Sequence, residues 1–143
     1  MWSASRSCTS TELRLHLDHL RDLRPRVAGR ESLERDLSLH NDVLFSLLTV
    51  CQLVIDICGE LSARRGDRFE DYTQAVRNLS RDSRFDSEMV RALEPLPGFR
   101  HVLVHDYVGL DLDHEVEALN ELGPVERFYV AVHGIVRGAA DPP

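Results

Sequence analysis

Val43-Leu44-Phe45-Ser46-Leu47-Leu48-Thr49-Val50-Cys51-Gln52-Leu53-Val54-Ile55-Asp56-Ile57-Cys58 is the longest apolar run in the chain, and how it folds decides the architecture. Its polar exceptions do not alternate as they would along a half-buried strand. Asp42, Ser46, Thr49, Gln52 and Asp56 follow one another by three or four residues, which lines them along one face of an α-helix. The pattern predicts a helix from about Glu31 to Ala63 that ends near Gly66. A helix apolar on most sides is the middle of a core or also supplies a subunit interface. Its polar stripe either meets water or faces a polar cleft. The run is too short and too polar to span a bilayer, so no membrane partner is expected.

Outward from this run the helical pattern persists. Thr9 and Glu12 have capping-box spacing, and Leu13, Leu17, Leu20 and Leu23 follow at helical intervals until Arg24-Pro25 ends the segment. Beyond Gly66, a short helix is predicted over Phe69–Leu79, a loop over Arg81–Asp86, and a fourth helix from about Ser87 carrying Met89, Val90 and Leu93. Pro95, Pro97 and Gly98 interrupt it, and it resumes through Phe99–His105 and stops near Tyr107-Val108-Gly109. Asp111 is an N-cap for a fifth helix with Val116, Leu119 and Leu122 inward. Gly123-Pro124 breaks or kinks that helix before Phe128, Val132, Ile135 and Val136 continue the pattern. These signals predict an all-α, up-and-down bundle of four to five antiparallel helices. The expected organisation is one domain over 1–143, with its core at about 10–137 and a loose tail over 138–143.

Composition narrows the functions available. The chain has 143 residues, 43% hydrophobic and 29% charged, with a net charge of −7. That balance fits a soluble globular domain, and the acidity argues against coating DNA along the surface, so any phosphate must meet a local cluster. All 17 basic residues are Arg, whose planar fork grips phosphate or carboxylate. Cys8, Cys51 and Cys58 form no CxxC pair, and no secretory signal opens the sequence; a cytoplasmic setting is expected. His16 and His19 lie three apart without a completing Cys, Asp or Glu, so no metal site is assigned to them. His40, His114 and His133 stand alone, and no Gly-rich phosphate loop is present.

The remaining constellation is Arg100, His105 and Tyr107, spaced Arg-x-x-x-x-His-x-Tyr. These are the groups that RNA cleavage without a metal requires. A histidine can take the proton from a ribose 2′-hydroxyl or give one to the leaving oxygen, because imidazole titrates near neutrality. An arginine can hold the phosphate and stabilise the charge that grows on its oxygens. The tyrosine hydroxyl can contact phosphate or accept a modification. The bare triple is only moderately specific, since Arg100 as a surface residue and His105 as a helix-terminal cap would read the same way.

The wider segment Gly98-Phe99-Arg100-His101-Val102-Leu103-Val104-His105-Asp106-Tyr107 resembles the signature of HEPN-domain proteins of the HepT type, the toxin half of HEPN/MNT toxin–antitoxin pairs. Glu34-Arg35-Asp36 opening the long helix, Val54-Ile55-Asp56, the short helix around Tyr72, and Gly109-Leu110-Asp111 extend the likeness over roughly Leu33 to Val136. The resemblance implies a HEPN-like homodimer whose two Arg/His sets meet at a cleft. It also implies a metal-independent endoribonuclease acting on tRNA or mRNA without a cofactor, with Arg100 and His105 catalytic. Tyr107 matches the family tyrosine that an MNT-type nucleotidyltransferase antitoxin silences with AMP. His101 stands where relatives commonly have Asn, and it and Asp56 are candidate supporting residues. Pro95 and Pro97 fall where relatives usually have an unbroken helix. Two alternatives remain: a non-catalytic bundle that positions a nucleotidyltransferase, and a nucleotide binder using Arg100 as a phosphate clamp.

Overall fold

Asp36 starts the central helix. Its backbone is extended (φ −130°, ψ 97°), and its carboxylate accepts a hydrogen bond from the Leu39 N–H at 3.1 Å, satisfying one of the donors a helix start leaves unpaired. The computed structural model describes residues 4–140, leaving aside the side chains of residues 4–8, 107, 139 and 140. In it, the single helix expected over Glu31–Ala63 is two: α2 (Arg30–Arg35) and α3 (Leu37–Arg65), divided at this cap. Replacing Asp36 by Ala is expected to cost about 1 kcal/mol, measured as a lowered urea midpoint with an unchanged slope. At the other end, Gly66 adopts the left-handed conformation (φ 76°). Its N–H bonds to the Ala63 carbonyl while Asp67 N–H reaches that of Ser62, a Schellman closure that favours glycine.

The other elements are α1 (Ala4–Leu23), α4 (Tyr72–Arg77), α5 (Ser87–Leu93), α6 (Leu96–His105), α7 (Leu112–Asn120) and α8 (Gly123–Ala140). Single 3-10 turns lie at Arg24–Arg26, Asn78–Arg81 and Tyr107–Gly109. The result is an all-α bundle with no strand among the described residues. α3 is its axis, packed against α1, α2, α4 and α6, while α8 closes the bundle on α1 and α5. Leu13, Leu17 and Leu20 of α1, Val43 and Val54 of α3, and Phe128 of α8 are fully or almost fully buried. At 29 residues, α3 is longer than the quoted run and, by length and composition alone, could cross a bilayer. Half of its most apolar window is instead buried within the protein.

Several boundaries differ from the sequence expectation, each for a local reason. α1 begins at Ala4, so Thr9 and Glu12 lie inside the helix and do not cap it. α4 begins at Tyr72, not Phe69, because the Asp71 carboxylate takes the Gln74 N–H at 2.8 Å. α6 resumes at Leu96, three residues ahead of Phe99, with Pro97 in its first turn, where a missing N–H costs nothing. Asp86 and Asp111 cap α5 and α7. Gly123-Pro124 opens α8 instead of bending a longer helix, and α8 stays helical to Ala140, past the point where a loose tail was expected.

Candidate active site

α6 carries the motif. Phe99 and Leu103 bury its inner face, Arg100 is half-buried, and His101, Val104, His105 and Asp106 are exposed. Residues five apart on an α-helix point about 140° away from one another and are displaced by about 7.5 Å along the axis. Arg100 and His105 therefore leave α6 in different directions. His101 and His105, four apart, share a face, and their ring centroids lie 4.5 Å apart at 45°.

Arg100 turns towards the polar stripe of α3. Its Nε donates a hydrogen bond to the Gln52 side-chain oxygen. The Gln52 amide nitrogen in turn donates to Asp56 Oδ1 at 2.7 Å. Of the stripe, Gln52 thus reaches the motif directly and Asp56 through it, whereas Thr49 and Ser46 bond elsewhere. Thr49 bonds back to the Phe45 carbonyl of its own helix. Ser46 is buried against α1, 3.0 Å from His16 Nδ1, which gives His16 a packing role. Cys51 lies close enough to feel the Arg100 charge. Burial pushes its thiol up to about 12, with Arg100 pulling the other way, so it stays a neutral hydrophobe.

Asp106 ends α6, its N–H bonded to the Val102 carbonyl, and the 3-10 turn Tyr107–Gly109 follows. Gly109 sits close to Asp106: a Cβ there would come within 2.9 Å of the Asp106 carboxylate, which would have to turn aside. The Tyr107 side chain lies outside the described residues. The structure thus joins Arg100 to Asp56 through Gln52, sets the His101 ring against that of His105 at a tilt, and shows no bond between Arg100 and His105 among the described residues.

The motif faces open surface. A groove of about 240 Å³ behind α6, lined by residues including Leu47, Cys51, Phe99, His114 and Leu122, contains none of Arg100, His101 and His105. Beside the motif, Val104 and Val108 are 41% and 86% exposed; Phe45, two turns before Gln52 on α3, is 64% exposed and lies near the His16 ring of α1. No group of three or more metal-ligating side chains occurs among the described residues.

Two features escaped sequence reasoning. Gln52 was visible in the stripe, and its i, i+4 spacing from Asp56 was the available signal. Glu115, with no exposed surface, bonds His40 Nε2 through Oε2 at 2.9 Å, while its Oε1 has no hydrogen-bond partner among the described residues. Its signal was a carboxylate in register with Leu112 and Leu119 on the apolar face of α7. Burial raises the Glu115 pKa above the ordinary carboxylate value, and His40 opposes that rise.

An all-α bundle with an Arg-x-x-x-x-His-x-Tyr helix end is of the HEPN class. The chain belongs to the HepT-like family, whose profile, described as ribonuclease HepT-like, matches residues 14–132. Its fold is similar to that of the tri-AMPylated Shewanella oneidensis HEPN toxin in complex with MNT antitoxin. That match has a TM-score of 0.79 at 17% identity and covers 93% of this chain and 99% of the other. A toxin–antitoxin structure with AMP-PNP matches at TM-score 0.76 and 16% identity, covering 92% and 99%. No curated protein sequence matches the chain.

Proposed function

We propose that this protein is the toxin of a HEPN/MNT toxin–antitoxin pair, a metal-independent endoribonuclease working as a homodimer. The observation that carries the proposal is a half-buried Arg100 and an exposed His105 on the last two turns of α6, within the region that matches the HepT-like family. Their divergence around α6 supports the dimer. A second copy docked over the exposed Val104 and Val108 beside the motif would bury apolar surface and close a cleft there. In that cleft, His105 of one copy takes the 2′-hydroxyl proton and that of the other protonates the leaving oxygen. The two Arg100 side chains stabilise the phosphate charge. His101 and Asp56 support the catalytic groups without doing the chemistry.

Silencing would follow from AMP attached to Tyr107 by an MNT-type nucleotidyltransferase. The two structural relatives, one tri-AMPylated with its MNT antitoxin and one holding AMP-PNP, support this. An anionic adduct two residues beyond His105 would exclude the RNA phosphate. The test is cleavage of total tRNA and an mRNA in EDTA by the wild-type dimer beside an Arg100→Ala/His105→Ala double variant. Cutting by the wild type alone is expected. The net charge of −7 and His101 beside Arg100 favour one rival, a non-catalytic partner of the nucleotidyltransferase. No cutting by dimeric, unmodified wild type would establish that rival.

A further inference from the structure

We infer that Gln52, itself oriented by Asp56, is the positioning residue for Arg100 and decides which edge of the guanidinium meets phosphate. A guanidinium can grip an oxyanion in two bidentate ways, through Nε with one Nη or through both Nη groups. Here Nε is already donated to Gln52, which closes the first edge. Neither Nη group has a hydrogen-bond partner among the described residues, so the second edge is open.

The chemistry of the anchor matters as much as its place. A carboxylate would hold Nε more strongly, but it would also cancel the charge the phosphate needs. A neutral amide fixes the geometry and leaves the full charge available. An amide can present either its oxygen or its nitrogen, and only the oxygen can accept from Arg100. Asp56, an acceptor when ionised, takes the nitrogen at 2.7 Å and so selects the useful orientation. Both residues stand one turn apart on α3, so the Arg100 fork is registered to the bundle axis and not to the exposed end of α6.

The test has a spectroscopic arm and a kinetic arm, and only the kinetic arm rests on the ribonuclease proposal. In the spectroscopic arm, the Arg100 Nε–H signal in the intact protein, assigned with Arg100→Lys, should be protected from exchange. Gln52→Met should abolish that protection, Gln52→Glu should keep it, and Asp56→Asn should weaken it. In the kinetic arm, Gln52→Met should lower kcat/KM for RNA about tenfold or more through loss of geometry. Gln52→Glu should raise KM by a similar factor while the melting temperature is kept. That split separates positioning from a plain α3–α6 staple, for which activity would follow stability. An unprotected Nε–H in the wild type, protection surviving Gln52→Met, or Gln52→Glu cleaving as the wild type does would each overturn the inference. If the wild type cuts no RNA, the ribonuclease proposal fails alone and the Nε–H signal still decides the role of Gln52.

Discussion

Replacing His105 by alanine is expected to lower RNA cleavage by about 10²–10⁴-fold, the usual contribution of a positioned general acid–base. The side chain is exposed at the last residue of α6 and, among the described residues, meets the His101 ring. Folding therefore does not depend on it, and stability should change by less than about 0.5 kcal/mol. Single-turnover cleavage of end-labelled RNA at saturating dimer isolates the chemical step from binding. His101→Ala is the informative companion, because the two rings touch and only one occupies the motif position. Its effect should be smaller, about tenfold, since it orients its neighbour and transfers no proton. Should His101→Ala be the more damaging of the two, the proton-transfer role belongs to the earlier turn of α6.

Much of the fold was legible because burial has a period. The apolar positions of α1, α3 and α8 repeat at helical spacing, and those residues are the core: Leu13, Leu17, Leu20, Val43, Val54, Phe128 and Val132. The differences lie where a single side chain competes with the helix backbone. Asp36 and Asp71 look like ordinary polar positions in a helical wheel, yet each carboxylate captures an N–H three residues on and restarts the helix there. At the site, spacing located α6 but gave no direction to its side chains. An Arg and a His five residues apart suggest a shared cleft only until the 140° between them is counted. Gln52 lies 48 residues from Arg100, and no local pattern joins them; only the packing of α6 on α3 does.

His40→Ala is expected to be the most destabilising of the substitutions proposed, at about 3 kcal/mol near neutral pH, with a definite pH dependence. Burial holds the Glu115 pKa above its ordinary value of 4.5, and His40 pulls it back down. A carboxyl whose folded pKa is raised gives its full stability below the unfolded value. It loses that contribution as pH rises through the folded value, because the folded state then resists the charge. Without His40 the folded value climbs further, so the loss continues over a wider pH range. The penalty should therefore be small below about pH 4.5, where Glu115 carries no charge and a hydrogen bond is what is lost, at about 1 kcal/mol, and should grow as pH rises above it. Urea unfolding at pH 4 and pH 7.5 measures this directly. Adding Glu115→Gln to His40→Ala should remove the growth with pH, since no charge is then buried. Equal penalties at the two pH values would show that His40 holds α7 by packing and not by answering the Glu115 charge. The pair spans α3 and α7, and α7 follows directly from the Tyr107–Gly109 turn. The same His40–Glu115 contact thus anchors the helix that follows the turn carrying Tyr107.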